Sequence, residues 1–358
     1  MLLIVNAGSS SLKLKVFDGG NEVAGAQVSD IGIGGHASAL AEGLAQVGVP
    51  VESLTAAAHR VVHGGAELTA TCRITPMVLR GIKACVPLAP LHNPANLVGI
   101  QSVAELAPDL PQYACFDTAF HATNPEVATT YALPAEERDR GLRRYGFHGI
   151  SYAALVRILA SRGRLPRRLL ACHLGNGASL CAIVNGRSVA TTMGYSPLDG
   201  LTMGTRAGAI DGNAVLRLAD LHGLKRAGEI LNRESGLFAL GGSNDLRMLR
   251  RSETPKAAFA LQHFTYWATR HAGSMVAAMG GVDGIVFTGG IGENDHAIRG
   301  DILRGLGFLG VVLDDAANRQ HASELHDPAS RVAIWIVPAD EERQIALEAQ
   351  AVIAGEGA

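Results

Sequence analysis

Residues able to handle an anion stand at the ends of apolar runs in this chain. His173-Leu174-Gly175-Asn176-Gly177 separates the apolar run Leu169–Cys172 from a second one that ends at Asn185-Gly186. The pattern predicts strand, glycine-rich turn and strand. Glycines at 175 and 177 leave backbone N–H groups uncovered, so a phosphate could approach them closely, although an ordinary hairpin has the same spacing. The layout recurs. Leu2–Gly19 aligns with Leu169–Gly186 at an offset of 167 residues, pairing Leu2 with Leu169, Leu3 with Leu170, Gly8 with Gly175, Val16 with Ile183 and Gly19 with Gly186. Two similar phosphate hairpins predict two similar half-molecules facing one nucleotide.

Other chemistry-bearing residues also sit at predicted element ends. Arg60 lies in an apolar strand, Thr55–Val62, that breaks at Gly64-Gly65; a buried arginine paired with a carboxylate would read the same way. Asp117 follows the strand Tyr113–Phe116, a position suited to a site between layers and equally to a helix cap. His92 belongs to a proline-punctuated loop, Pro87–Pro94, that leads into a helix ending near Leu106, which it could cap. Small residues from Gly194 to Gly208 surround Arg206, a loop shaped to bring a guanidinium close to its target. The strand Ile285–Thr288 runs into Gly289-Gly290-Ile291-Gly292-Glu293-Asn294, a further nucleotide-contact candidate. Ser243–Arg247 reads as a cap and first turn, and Glu341 opens the terminal helix, where the dipole favours acids whatever the function.

The elements that must position these groups alternate in type. Strands are expected also at Val332–Val337, and helices at Ala37–Val47, Ser151–Ser161, Asn213–Leu221 and Lys256–Met279. In the last of these Ala260, Phe264, Trp267, His271, Met275 and Ala278 recur every three or four residues, so His271 reads as a core or interface histidine. Glycine is dense around Gly32, Gly34 and Gly35, and the arginines from 162 to 168 read as a solvated loop feeding a strand. At 358 residues the chain can form two domains. A formal charge of −2 gives no electrostatic reason for a nucleic-acid or membrane partner. Five cysteines without CxxC spacing suit reduced thiols in a cytoplasmic protein, and neither a signal peptide nor a membrane-length apolar run is expected.

Taken in series, eight motifs resemble one family. Asn6-Ala7-Gly8-Ser9-Ser10-Ser11-Leu12-Lys13, His59–Gly65, Pro90–Pro94, Phe116–His121, Tyr145–Gly149, His173–Gly177, Met203–Gly208 and Phe287–Asn294 are similar to those of the acetate kinases, in that family's order, and span nearly the whole chain. The resemblance implies an α/β fold of the actin and sugar-kinase superfamily: two ribonuclease-H-like domains with an active-site cleft between them. It places residues 1–120 and 343–358 in the first domain, the terminal helix crossing back, and 121–342 in the second, which would also dimerise. The implied reaction is reversible, Mg²⁺-dependent transfer (Mn²⁺ substituting) between ATP and acetate, giving acetyl phosphate and ADP.

Carried over motif by motif, the resemblance puts Asn6 and Glu341 near the metal and Lys13 at the nucleotide. His173, Leu174, Gly175, Asn176 and Gly177 would meet the ATP phosphates, and Asp245, Leu246, Arg247, Gly290, Ile291, Gly292, Glu293 and Asn294 the adenosine end. Arg60, His148 and Arg206 would surround the transferred phosphoryl group. Asp117 would orient or activate neighbouring groups, with His92 lining the same cleft. Val62, Leu91, Phe147 and Pro197, beside Arg60, would hold the acyl group. The sequence departs from the family at Tyr152, where a histidine is usual, and at Ala339-Asp340, where Thr-Asn is usual. It is also some tens of residues shorter, before His59 and after Arg247. Propionate or butyrate kinase is the alternative within this chemistry; a non-catalytic nucleotide-dependent binding module and an acyl phosphatase are the alternatives outside it.

Overall fold

The computed structural model describes residues 1–8, 11–31 and 35–356. Ser9 and Ser10 of the first glycine turn, and Gly32 and Gly34, lie outside the described residues. The chain divides into two compact units: Met1–Ala122 with Phe147–Ala154 and Asp340–Ala358, and Thr123–Gly146 with Leu155–Ala339.

The first unit holds a six-stranded sheet of β1 (Leu2–Ala7), β2 (Ser11–Asp18), β3 (Asn21–Ser29), β4 (Ala56–Val61), β5 (Cys72–Arg73) and β6 (Gln112–Phe116), in the order β3-β2-β1-β4-β6-β5. Leu2–Val5 is an unbroken apolar run because β1 is central and covered on both faces. On one face Leu3, Val5, Leu12, Leu14 and Val16 meet Ala39, Leu40 and Leu44 of the helix His36–Val47. On the other, Leu2, Ile4, Phe17, Ala58 and Tyr113 meet Ile345, Ala346 and Ala349 of the terminal helix Glu341–Glu356. Strands β1, β4 and β6 are parallel, so their carboxyl ends share one edge of the sheet.

In the second unit β7 (Arg168–Leu174), β8 (Ala178–Val184), β9 (Arg187–Thr191), β10 (Gly284–Thr288) and β11 (Ala333–Ile336) form a sheet of order β11-β10-β7-β8-β9. It repeats the scheme of the first: three antiparallel strands followed by parallel ones. The sequence offset needs one correction. Ala7 pairs with Leu12 across Gly8 to Ser11, whereas Leu174 pairs with Ala178 across Gly175 to Gly177, so the first turn is one residue longer. The offset of 167 therefore holds up to the glycine turns and becomes 166 on the return strand, where pairing shifts at Val16/Phe17 and again at Ala182/Ile183. Gly19 (φ 55°) accordingly matches Asn185 (φ 50°) rather than Gly186, both left-handed in tight hairpin turns.

Pro255–Met279 is the long predicted helix, started by Thr254, whose side chain accepts from the Ala257 N–H, and stopped by Gly280. Its buried stripe runs through Ala257, Ala260, Phe264, Ala268, Ala272, Met275 and Met279. Trp267 and His271 lie on its flank, half-buried, with ring centroids 5.9 Å apart, and Ala278 is exposed. The periodicity count included Ala260, Phe264 and Met275 of this stripe and passed over Ala257, Ala268 and Ala272. Among the arginines of 162–168, Arg168 forks onto Asp283 at 2.5 Å and Arg164 pairs with Glu324 at 3.3 Å. All five cysteines are free thiols, four of them buried. No helix of the described residues is long and apolar enough to cross a membrane.

Two histidines of the first unit are buried and neutral. His59 Nε2 lies 2.7 Å from Gln112 Oε1 and His121 Nε2 lies 2.9 Å from the Phe147 carbonyl, yet burial outweighs these bonds and brings both pKa values down to about 4. The unfolded chain takes up these protons near pH 6.5, the folded one only near 4. Stability is thus complete above pH 6.5 and is lost as pH falls to about 4, by up to about 3 kcal/mol per histidine. Denaturant unfolding followed from pH 7.5 to 4.5 should show this decline, and replacing His59 by glutamine should remove about half of it, leaving the His121 share.

Candidate active site

Three side chains meet at the shared carboxyl edge of β1, β4 and β6. Arg60, at the end of β4, donates from Nη2 to Asp117 Oδ2 at 2.5 Å and from Nε to Oδ1 at 3.2 Å, a forked ion pair. Its Nη1 donates to Asn6 Oδ1 at 3.3 Å. Asp117 is 2% exposed and Arg60 19%, so the guanidinium reaches outward from a buried carboxylate. Arg60 is thus paired with a carboxylate, and it lies at the carboxyl edge of the sheet.

Asn6 continues the cluster by donating from Nδ2 to Glu342 Oε1 at 3.3 Å, and Lys13 Nζ is 2.9 Å from the same oxygen. Burial alone would raise the Glu342 carboxyl, but its bonds from Lys13 and Asn6 hold it below the usual range. Glu341 is the opposite case. Burial raises its carboxyl, the Glu342 charge adds to the rise, and Arg60 and Lys13 only partly offset it. Lys13 therefore belongs to the acidic group of the first unit. The Asp340 charge is answered by Arg343 Nε at 3.0 Å.

His148 is held beside Asp117 by backbone geometry. Gly149 donates its N–H to the Asp117 carbonyl at 2.8 Å, and His148 itself takes φ 58°, a left-handed conformation that costs a non-glycine residue free energy. Phe147 is buried with its ring edge-on to His63, centroids 5.3 Å apart. Val62 is buried and Leu91 half-buried. His92 occupies the N-cap position of the helix Asn93–Leu106, but its side chain makes no capping bond. Tyr152 lies in the core, its ring 5.7 Å from that of His121.

Sequence reasoning missed two buried amides that hold this loop. Asn93 Oδ1 accepts from the His63 N–H at 3.1 Å while its Nδ2 donates to the His63 carbonyl at 3.1 Å. Asn96 Oδ1 accepts from the Val62 N–H at 3.0 Å and its Nδ2 donates to the Ala7 carbonyl at 2.7 Å, which ties β1 to the loop after β4. An asparagine on the buried face of a predicted helix was the available signal, because a buried amide must find partners.

In the second unit a cavity of 640 Å³ is lined by Gly175, Asn176, Asn244, Asp245, Leu246, Arg247, Gly290, Ile291, Asn294 and Asp295. Three stretches far apart in sequence thus converge on one volume of ligand size. Asp245 caps the helix Leu246–Arg251 and bonds Arg247 Nη2 at 2.7 Å, so its carboxyl is drawn down to about 2 by the Arg247 side chain and backbone N–H. Leu174 and Gly292 are buried outside the lining, and His173 and Gly177 are not part of it either. Glu293 Oε1 accepts from the Gly289 and Ala339 N–H groups, both at 2.9 Å, and so braces the short helix Gly289–Asn294.

Arg206 is carried next to this turn. Gly204 donates its N–H to the Asn176 carbonyl at 3.1 Å, and Arg206 Nη1 donates to the Pro197 carbonyl at 3.4 Å. The loop bearing the arginine is therefore bonded directly to the glycine-rich turn.

The family model described as the Acetokinase family matches residues 33–347. A protein of Rhodopseudomonas palustris named acetate kinase is 41% identical over 390 residues, covering 97% of this chain and 96% of that one. The crystal structure of Porphyromonas gingivalis acetate kinase superposes with a TM-score of 0.89 at 34% identity, covering 98% of this chain and 99% of that one. A propionate kinase from Francisella tularensis gives 0.90 at 32% identity, covering 97% and 98%.

Two glycines allow the close approaches described above and predict different costs. A Cβ on Gly149 would lie under 3.0 Å from the Asp117 carbonyl oxygen and the Phe120 Cβ, a clash that no rotation relieves. A Cβ on Gly204 would meet the Asn176 amide oxygen, the end of a side chain that can swing away. Gly149→Ala should lower the unfolding free energy by about 1–3 kcal/mol, and Gly204→Ala by less, in denaturant titrations of the two variants.

Proposed function

The chain belongs to the acetokinase family, and from that premise we propose that it transfers the γ-phosphoryl group of ATP reversibly to acetate, forming acetyl phosphate and ADP. The observation that carries this reading is the convergence of Gly175-Asn176, Asn244–Arg247 and Gly290–Asp295 on one cavity of 640 Å³. A glycine turn suits phosphates, and the wider part suits an adenosine. His173, Leu174, Gly177, Gly292 and Glu293 would support the same ligand from the adjoining turn and helix, and Lys13 would serve its phosphates.

A carboxylate is already a nucleophile, so the reaction needs no strong base. Its difficulty is bringing one anion up to another while charge spreads over the equatorial phosphoryl oxygens. Arg60, His148 and Arg206 are assigned to those oxygens. Asp117 fixes the plane and direction of the Arg60 guanidinium through the forked bond. His92, Val62, Leu91, Phe147 and Pro197 are assigned to the acyl group. One methylene of acyl length is worth only about 1–3 kcal/mol in such a pocket. Propionate kinase is the second reading, favoured by the Francisella tularensis structure.

The oxygen donors of the first unit fit Mg²⁺. Asn6, Glu341 and Glu342 form no cage of three or more titratable ligands, and none exists among the described residues. Such a sparse set suits an ion that keeps several waters and shares itself with phosphates. A cation would also relieve the raised Glu341 carboxyl. Asn6 and Glu341 would hold the ion, which when bound neutralises phosphate charge. The same reading makes the protein a cytoplasmic homodimer, and light scattering at micromolar concentration should give twice the chain mass.

Trapping acyl phosphate as hydroxamate, with Mg-ATP and each acid from formate to butyrate, tests the reaction. Product is expected with acetate foremost; no product with any acid would defeat the kinase reading, and a propionate or butyrate optimum would select the second. Arg206→Ala should keep ATP affinity and lose about 10³–10⁵ in kcat. If Arg60 and Arg206 act on one phosphoryl group, the double alanine variant should lose far less than the product of the single losses.

A further inference from the structure

Arg299 is fully buried, at 0% exposure, and no carboxylate bonds it. Buried charges normally carry a counter-charge. Here the guanidinium donates to four uncharged oxygens and lies against His321 Nδ1, while the Asp295 carboxylate acts on it only through space. Nε donates to Asn318 Oδ1 at 2.9 Å, Nη1 to the carbonyls of Gly292 at 2.9 Å and Glu293 at 2.8 Å, and Nη2 to the Asn318 carbonyl at 2.9 Å and His321 Nδ1 at 3.1 Å.

The acceptors lie on two segments. Gly292 and Glu293 belong to the short helix Gly289–Asn294, three residues of which, Gly290, Ile291 and Asn294, line the 640 Å³ cavity. Asn318 and His321 belong to the segment around the helix Asp315–Arg319, which lines no part of that cavity. Asn318 is itself anchored, its Nδ2 donating to the His296 carbonyl at 2.8 Å, and His321 sits at φ 53°, which brings its ring nitrogen round to the guanidinium. The same ring nitrogen lies 3.0 Å from the Glu293 carbonyl, so His321 stands against both the guanidinium and the short helix.

We propose that Arg299 is a positioning residue for nucleotide: its buried guanidinium staples the cavity-lining helix Gly289–Asn294 to the Asn318–His321 segment and so fixes the wall against which ATP binds. The inference rests on the nucleotide reading of the cavity. A six-residue helix cannot hold its own shape in water. The planar fork supplies what its length does not, by bonding the last carbonyls at the helix's carboxyl end. Lysine could keep the charge but reaches neither the number nor the plane of these acceptors.

The test compares Arg299→Met and Arg299→Lys with the unaltered protein, reading folding by circular dichroism, ADP affinity by calorimetry, and KM for ATP and for acetate separately. Both variants should weaken ADP binding and raise KM for ATP tenfold or more, with KM for acetate changed less than twofold. Equal affinity in either variant would overturn the proposal; in the lysine variant it would show that charge alone suffices. If both fail to fold, Asn318→Ala, which removes the acceptor of Nε, should raise KM for ATP about threefold, and an unchanged value would overturn it. Ile291→Trp, which fills the cavity, separates the two readings: if it leaves ADP affinity intact, the nucleotide assignment of the cavity fails, whatever Arg299 does.

Discussion

The forked ion pair between Arg60 and Asp117 is the interaction on which the first unit's polar cluster depends. Both residues exist where they do because β4 and β6 are adjacent and parallel, with Val61 opposite Phe116, so the chain leaves the sheet twice at the same level. Taking Asp117 away would leave a half-buried guanidinium without its counter-charge, and taking Arg60 away would leave a carboxylate that is 2% exposed; breaking such a pair typically costs about 3–5 kcal/mol. The rest of the cluster is hung on this pair. Arg60 fixes the Asn6 amide, Asn6 turns its other end to Glu342, and Glu342 holds Lys13. Through its backbone carbonyl, Asp117 also fixes Gly149, and with it the left-handed His148.

On the nucleotide reading proposed above, the second unit faces a different problem, that of presenting backbone to an anion. Backbone N–H groups must be exposed at a turn yet held rigid, which removes the usual means of rigidity, a covering side chain. The answer is bonding from behind. Gly204 donates to the Asn176 carbonyl, Glu293 accepts from Gly289 and Ala339, and Arg299 takes the carbonyls of Gly292 and Glu293.

What could be read from the sequence follows from this division. Element ends carrying Arg60, Asp117, Asp245 and the two glycine turns were legible because strand periodicity and glycine spacing are local. The internal repeat was legible to within one residue, failing where the first turn is longer than the second. The buried stripe of the long helix was legible at Ala260, Phe264 and Met275 and misplaced at Trp267, His271 and Ala278, since hydrophobicity alone ranks Trp267 above Ala268. The bonds of Asn93, Asn96 and Arg299 were illegible for a stronger reason. Most of their partners are backbone groups, and a backbone N–H or carbonyl looks the same in every residue.

Arg60 and Arg299 show that the partner of a buried arginine decides what the arginine can do. Arg60 shares its charge with Asp117, so its field at a distance is reduced and its value lies in direction: only a ligand that touches the remaining N–H groups gains from it. Arg299 has no N–H left to offer, and burial lowers its pKa to about 10, yet it stays charged at neutral pH with neutral acceptors around it. One arginine keeps N–H groups turned outward and the other turns them inward, and what separates them is a carboxylate that bonds the first directly and only stands near the second.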